Sequence, residues 1–501
     1  MVRTVRLGAE PVSRADVVAV ARGGARVALD DDMLKSLTAT RQHIDALAEA
    51  DEPAYGISTG FGALAVRHIP KDRRIALQRS LIRSHAAGAG PAVEPEVVRA
   101  LMFLRLRTLA TGCTGVRPQT ARALAAMLNA GVVPVVHEFG SLGCSGDLAP
   151  LAAVALALMG EGEVFDADGT RKSAAGTALA PITLAEKEGL ALTNGTDGML
   201  GMLVLALADL RRLLDTADLT AAMSVEALLG TDRAFAADLQ ALRPHPGQAR
   251  TARRMVAALA GSEIVVSHRD CAQVQDAYSL RCAPQVHGAA RDTVQHGELV
   301  ADRELAAAID NPVVLPDGRV ESNGNFHGAP IAYVLDFLAI PAADVASIAE
   351  RRTDRMLDVA RSHGLPAFLA QDPGVDSGYM IAQYTQAALV SELKRLAVPA
   401  SVDSIPSSAM QEDHVSMGWS AARKLRRAVD GLTTVLAIEL LTAARALDFR
   451  APLRPAPVTG AVRDIVRTGV GGPGPDRHVA PEIAAVEELV RSGAVLEVLR
   501  S

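Results

Sequence analysis

The chain has 501 residues, with 51 Lys+Arg against 57 Asp+Glu and a net charge of −6 when its 12 His are neutral. That balance excludes an electrostatic nucleic-acid binder, which needs a clustered basic excess. A composition that is 49% hydrophobic and 22% charged excludes a disordered chain.

In chain order, Met1-Val-Arg-Thr-Val-Arg lacks the apolar segment of a secretory signal. Over the first 200 residues glycine and proline interrupt every pattern, at Tyr55–Gly62, Ala86–Pro91 and Gly140–Gly146, which predicts short helices and loops. From about Gly198 the spacing predicts long helices over 198–228, 330–352, 376–397 and 419–447. In the last of these Leu425, Val429, Leu432, Leu436, Leu440, Ala443 and Leu447 recur at steps of three or four and share one face. Asp376-Ser377 is placed to cap the third, with Pro399 just beyond its end. Gly469–Pro475 reads as a loop before a last helix near 480–498.

No uninterrupted stretch reaches the roughly 18 apolar residues of a membrane span. Four irregularly spaced cysteines, Cys113, Cys144, Cys271 and Cys282, fit neither a disulfide framework nor a zinc ribbon, and point to a reducing cytoplasm. With one Trp, five Tyr and nine Phe, the chain favours helices over sheets. The expected fold class is therefore mainly α. A smaller N-terminal helix and loop domain, residues 1–200, precedes a bundle of long helices, residues 201–501, which seeks partners in other subunits.

Several motifs imitate chemistry that their surroundings do not support. Gly56-Ile-Ser58-Thr-Gly60 fits a nucleophile elbow, but Asp51–Tyr55 is a poor strand to carry it. Gly60-Phe-Gly62-Ala-Leu-Ala65 imitates a dinucleotide fingerprint without the strand or the acidic residue about 20 positions on. Gly143-Cys-Ser145-Gly sits in too helical a chain for a β-barrel protease. Neither His137-Glu138 nor Glu412-Asp413-His414 offers a His pair at helical spacing, so no metal is expected.

Gly140-Ser-Leu-Gly-Cys144-Ser145-Gly146-Asp147-Leu-Ala-Pro150 is more specific. This segment resembles the electrophile loop of the aromatic amino-acid ammonia-lyases. There an Ala-Ser-Gly triad cyclises: the glycine nitrogen attacks the first residue's carbonyl, and loss of two waters leaves 4-methylidene-imidazol-5-one. The resemblance continues through Tyr55–Gly62, Leu81–Gly88 with Ser84-His85, Thr193–Thr196, Gln275–Gln285, Asp310-Asn311-Pro312, Asn323–Gly328 and Ser401–His414. This chain departs from the usual pattern with Cys144 in place of Ala, Asp197 in place of Gln and Val398 in place of His.

By that resemblance, Cys144, Ser145 and Gly146 supply the electrophile and no external cofactor is needed. The substrate amine is activated at the methylene derived from Ser145, and Tyr55 removes the β-proton. A phenol near pKa 10 would have to be lowered for that task. Tyr278 is implied as a second phenol, and Asn194 as a hydrogen-bond partner of the electrophile or amine. Arg281 is implied to hold the α-carboxylate, for which a planar fork suits better than Lys. Phe326 packs beside the electrophile, and Gln275, Asn311 and Gln411 are polar wall residues.

Substrate choice turns on His85 and Glu412. The Ser84-His85 pair resembles the histidine-specific branch, and aryl-specific members usually carry an uncharged amide at the position of Glu412. A buried carboxylate beside a phenyl ring would be unpaired, whereas an imidazole hydrogen-bonds to it. The implied reaction is L-histidine to trans-urocanate plus ammonia, the first step of histidine degradation. The resemblance also implies a homotetramer whose active sites are shared between subunits, with neither nucleic acid nor membrane as partner. Outside the lyase class two readings stay open, a serine hydrolase using Ser58 or Ser145 and a non-catalytic scaffold of the same fold; within it, an aryl-specific lyase or an aminomutase stays open.

Overall fold

The computed structural model describes residues 3–8 and 10–499. Helices dominate. Strands are two to four residues long, as in the parallel pair Thr4–Leu7 with Arg26–Leu29 and the antiparallel pair Val313–Val314 with Val320–Glu321. The fold is mainly α, as expected.

Four of the expected long helices are present as Asp197–Ala227, Ala329–Leu357, Met380–Leu396 and Gly418–Asp448. The apolar face read between Leu425 and Leu447 is buried at each of its seven positions. Burial extends to Val435, Ile438 and Leu441 on other faces, so the C-terminal half of this helix is core all round. A fifth long helix, Ala283–Ala306, was not expected, because its polar residues obscure the apolar stripe. The helix Met380–Leu396 starts after the anticipated cap. Asp376 instead accepts from the amide of Asp372 in a tight turn, and no side chain caps the helix.

Ala329–Leu357 is long and apolar enough on average to cross a membrane, although Asp336 and Asp344 break its apolar runs. Its most apolar window is 61% buried inside the protein, as in a core helix of a soluble protein.

The chain falls into two compact units. The first comprises Met1–Leu205, Gly297–Asp336 and Pro399–Arg423; the second comprises Ala206–His296, Phe337–Val398 and Lys424–Ser501. Within the second unit, buried charges are paired. Arg352 meets both carboxylate oxygens of Glu439, at 2.5 and 3.0 Å, and Thr220 and Ser224 donate to the same oxygens at 2.8 Å. Asp218 accepts from Arg254 at 3.0 Å and Arg291 at 2.5 Å, with His287 Nδ1 at 3.0 Å.

Candidate active site

The loop Gly140–Asp147 lies in the first unit and runs into the helix Leu148–Leu158. Gly146 has a left-handed φ of 81°, and a Cβ there would lie 2.2 Å from Gly195 O and 2.4 Å from Gly195 N. Only glycine fits, because the loop presses backbone to backbone on Thr193–Thr196. The Asp147 amide seals this contact by donating to Gly195 O at 2.7 Å. On the other side, Gly143 O accepts from Gly328 N at 3.0 Å and Ser416 Oγ at 2.6 Å, while Met417 N donates to Leu142 O at 2.8 Å.

Asp147 is fully buried. Its Oδ1 accepts from Ser141 Oγ at 2.9 Å, and its Oδ2 accepts from the amides of Gly198 and Met199 at 2.9 and 3.0 Å. Those amides open the helix Asp197–Ala227, so one carboxyl caps a 31-residue helix and fixes the loop. Burial pushes this carboxyl up to about 7, against the pull of its hydrogen bonds. Behind Gly195, Arg105 donates to Ala191 O, Asn194 O and Ile309 O, and pairs with Asp197 at 2.8 Å. The departure at Asp197 therefore neutralises a buried arginine.

Glu412 reaches the tripeptide from the segment Pro399–Arg423. Its Oε1 accepts from Ser145 Oγ at 3.1 Å, and its Oε2 accepts from Cys144 Sγ at 3.2 Å and Ser407 Oγ at 3.0 Å. Ser407 is also bridged to Glu412 by two backbone bonds around Ser408, Ala409 and Met410, all of which have positive φ. Three consecutive left-handed non-glycine residues are costly, and such strain concentrates at functional sites. Burial first, then the charge of Glu412, pushes the Cys144 thiol up to about 12, so it remains an S–H donor.

The remaining first-unit residues sit around this core. His85 ends the helix Arg74–His85, half-buried, with Ser84 Oγ 3.1 Å from its Nδ1. Burial lowers its pKa, opposed by the Leu81 carbonyl and the charge of Glu412. Tyr55 is half-buried and its Oη accepts from Gly62 N at 3.2 Å. A Cβ on Gly62 would lie 3.1 Å from Ser408 Oγ, which brings the Tyr55 and Glu412 loops together. Asn194 Nδ2 donates to Asn311 O at 2.8 Å, and Asn311 Oδ1 accepts from Asn323 N at 3.0 Å. Phe326 is half-buried two residues before Gly328, while Gln411 is exposed.

Gln275, Tyr278 and Arg281 belong to the second unit. Tyr278 is 72% exposed, and the Arg281 guanidinium lies over its ring at 4.7 Å. Arg281 Nε is buried with no hydrogen-bond partner among the described residues. The rival nucleophile Ser58 is fully buried and its Oγ accepts from the amide of Ala54. No strand leads directly into it; the element before it is the helix Asp31–Glu49. That geometry does not expose a nucleophile.

Sequence reasoning quoted Asp147 within the electrophile-loop segment, as a residue able to hold the loop, but did not foresee its helix-capping contacts and missed Arg105, Ser407 and Ser416. Both serines lay inside or beside the quoted Ser401–His414 segment, but nothing in the spacing announced that Ser407 donates to Glu412 or that Ser416 reaches Gly143, 273 positions away.

The family model for aromatic amino acid lyases matches residues 12–468. A curated histidine ammonia-lyase from Streptomyces avermitilis is 66% identical over 499 residues, covering 98% of each chain. Among solved structures, the tyrosine aminomutase of Streptomyces globisporus superposes with a TM-score of 0.94 at 36% identity, over 99% of this chain and 98% of that one. The histidine ammonia-lyase of Trypanosoma cruzi does so with a TM-score of 0.91 at 39% identity, over 99% and 95%. Backbone similarity alone does not separate the two chemistries; the residues of the site must.

Proposed function

The chain belongs to the aromatic amino acid lyase family, and on that premise we propose that it is a carbon–nitrogen lyase converting L-histidine to trans-urocanate and ammonia. The observation that carries the substrate assignment is the Glu412 carboxylate, 3.1 Å from Ser145 Oγ and close enough to His85 for its charge to act there. A substrate imidazole can donate an N–H to this carboxylate. A phenyl ring would leave it poorly paired, at a cost of about 1–3 kcal/mol. The high identity to the Streptomyces avermitilis histidine lyase supports the same reading.

The tripeptide fits 4-methylidene-imidazol-5-one. Gly146 lacks the Cβ that its cradle would exclude, and Ser145 presents its hydroxyl to a proton acceptor. Ring closure adds the Gly146 N–H across the Cys144 carbonyl. One water then leaves with the Ser145 amide hydrogen, and a second takes the Ser145 hydroxyl with its α-hydrogen. No oxidant is consumed. The resulting group supplies an electrophile that ordinary side chains lack and turns the substrate amine into a better leaving group.

The chain's own residues do the rest. Arg281 holds the α-carboxylate, a role supported by its unpaired Nε and planar fork. Tyr55 receives the β-proton at Oη, whose present partner, Gly62 N–H, is a donor that would also steady negative charge there. Asn194 and Asn311 brace each other beside the Gly146–Gly195 contact, and the family resemblance assigns Phe326 and Gln411 to the walls of the site. The exposed Tyr278, with Gln275 and Arg281, is suited to complete the site of a neighbouring subunit in a homotetramer. All four cysteines are free, in keeping with a cytoplasmic enzyme.

Incubation with L-histidine, L-phenylalanine and L-tyrosine tests the assignment. Urocanate absorbance from L-histidine alone is the expected result. Cinnamate-type products, or a β-amino acid in place of an alkene, would replace it with an aryl lyase or aminomutase.

A further inference from the structure

The two oxygens of Glu412 are held unequally. Oε2 takes two donors, Cys144 Sγ and Ser407 Oγ, whereas Oε1 takes only Ser145 Oγ. Ring closure consumes the Ser145 hydroxyl but keeps the Cys144 side chain, because the ring takes only the carbonyl carbon of that residue. After closure Oε2 still has both donors and Oε1 has none. A carboxylate pinned at one oxygen and open at the other can turn neither away from the substrate nor toward a second partner.

We propose that Cys144 and Ser407 are positioning residues that lock Oε2 of Glu412, so that maturation of the tripeptide itself frees Oε1 as the acceptor for the substrate imidazole N–H. The proposal rests on the lyase reading above and deepens it. It gives a role to the cysteine that stands where most of the family carries alanine. The geometry also suits a thiol. Cys144 is 6% exposed, stays protonated at neutral pH and so donates throughout the working range. Ser407 cannot drift from Glu412, because two backbone hydrogen bonds join them.

The test uses the full-length protein with Cys144→Ala, Cys144→Ser and Ser407→Ala. Intact mass should show the loss of two waters in wild type and in all three variants. KM for L-histidine should rise about tenfold in Cys144→Ala and in Ser407→Ala, with kcat changed by less than about threefold, as for loss of one hydrogen bond to a charged group. Cys144→Ser restores a donor and should return KM to within about threefold of wild type. Independently of turnover, the S–H stretching band assigned by difference against Cys144→Ala should shift in Glu412→Gln. Unchanged KM in both alanine variants, or an S–H band indifferent to Glu412→Gln, overturns the proposal. So does a Cys144→Ala chain that keeps both waters, which would make Cys144 a residue of ring closure. If Cys144→Ala does not fold, Ser407→Ala, outside the ring-forming tripeptide, decides alone. Wild type that shows neither water loss nor urocanate would instead refute the lyase reading.

Discussion

Two buried carboxylates in this molecule are treated in opposite ways. In the second unit, Asp218 is surrounded by Arg254, Arg291 and His287. Burial pushes its carboxyl up, but those partners outweigh burial and hold it below the ordinary value. In the loop of the first unit, Asp147 has only a serine hydroxyl and two helix-opening amides. Burial prevails and lifts it to about 7. Glu412 is likewise met by hydroxyls and a thiol, with no cation in ion-pair range among the described residues. Around Asp218 the partners are cations, whereas around Asp147 and Glu412 they are neutral donors. The difference is one between stability and chemistry within one chain.

The contrast can be broken most severely at the loop. Ser145→Ala removes the hydroxyl whose departure makes the methylidene. Turnover of L-histidine should vanish, and the peptide containing 144–146 should never show the loss of two waters, because the second water has no hydroxyl to leave from, while the thermal midpoint stays near wild type. Tyr55→Phe should lower kcat by about 10²- to 10⁴-fold, the range of a lost general base, with both waters still lost by mass. Near-normal kcat would remove Tyr55 from that role.

The second unit should answer in stability. Arg352→Met leaves Glu439 buried with only Thr220 and Ser224, and should cost about 3–5 kcal/mol in denaturant unfolding while the folded fraction keeps its water loss. A loss below about 1 kcal/mol would mean that the pair is not holding the bundle.

The smallest effect, and the sharpest contrast, lies in pH. Asp147 has a folded pKa above its ordinary 3.8, so its contribution to stability is complete below about pH 4 and is lost as pH rises through about 7. Asp218 is depressed, so its contribution is present at neutral pH and is lost as pH falls through its folded pKa. Thermal midpoints from pH 2 to 8 should therefore flatten between about pH 4 and 7 in Asp147→Asn and below about pH 4 in Asp218→Asn. Identical profiles for the two variants would erase the distinction.

Much of this was legible before any coordinates. The helices 197–227, 329–357, 380–396 and 418–448 announce themselves because their buried faces repeat every three or four residues. Ala283–Ala306 does not, since His287, Arg291 and other polar residues on it answer to Asp218 and not to a simple apolar stripe. The cluster of Cys144, Ser145 and Glu412 was legible as motifs, but its geometry was not. That Oε2 carries two donors and Oε1 one depends on a loop 268 positions away in the chain, turned by three left-handed residues that no propensity would place there. Likewise, Asp147 looks like any turn aspartate until the start of a helix at Asp197 is seen to end on it.

The central claim is that the chain builds its own electrophile from Cys144, Ser145 and Gly146. Peptide mass spectrometry of the purified protein tests it most directly. The peptide spanning these residues should be lighter by two waters, with fragment ions confining the loss to the tripeptide. The same peptide at its full, unmodified mass in a preparation that turns over L-histidine would contradict the account.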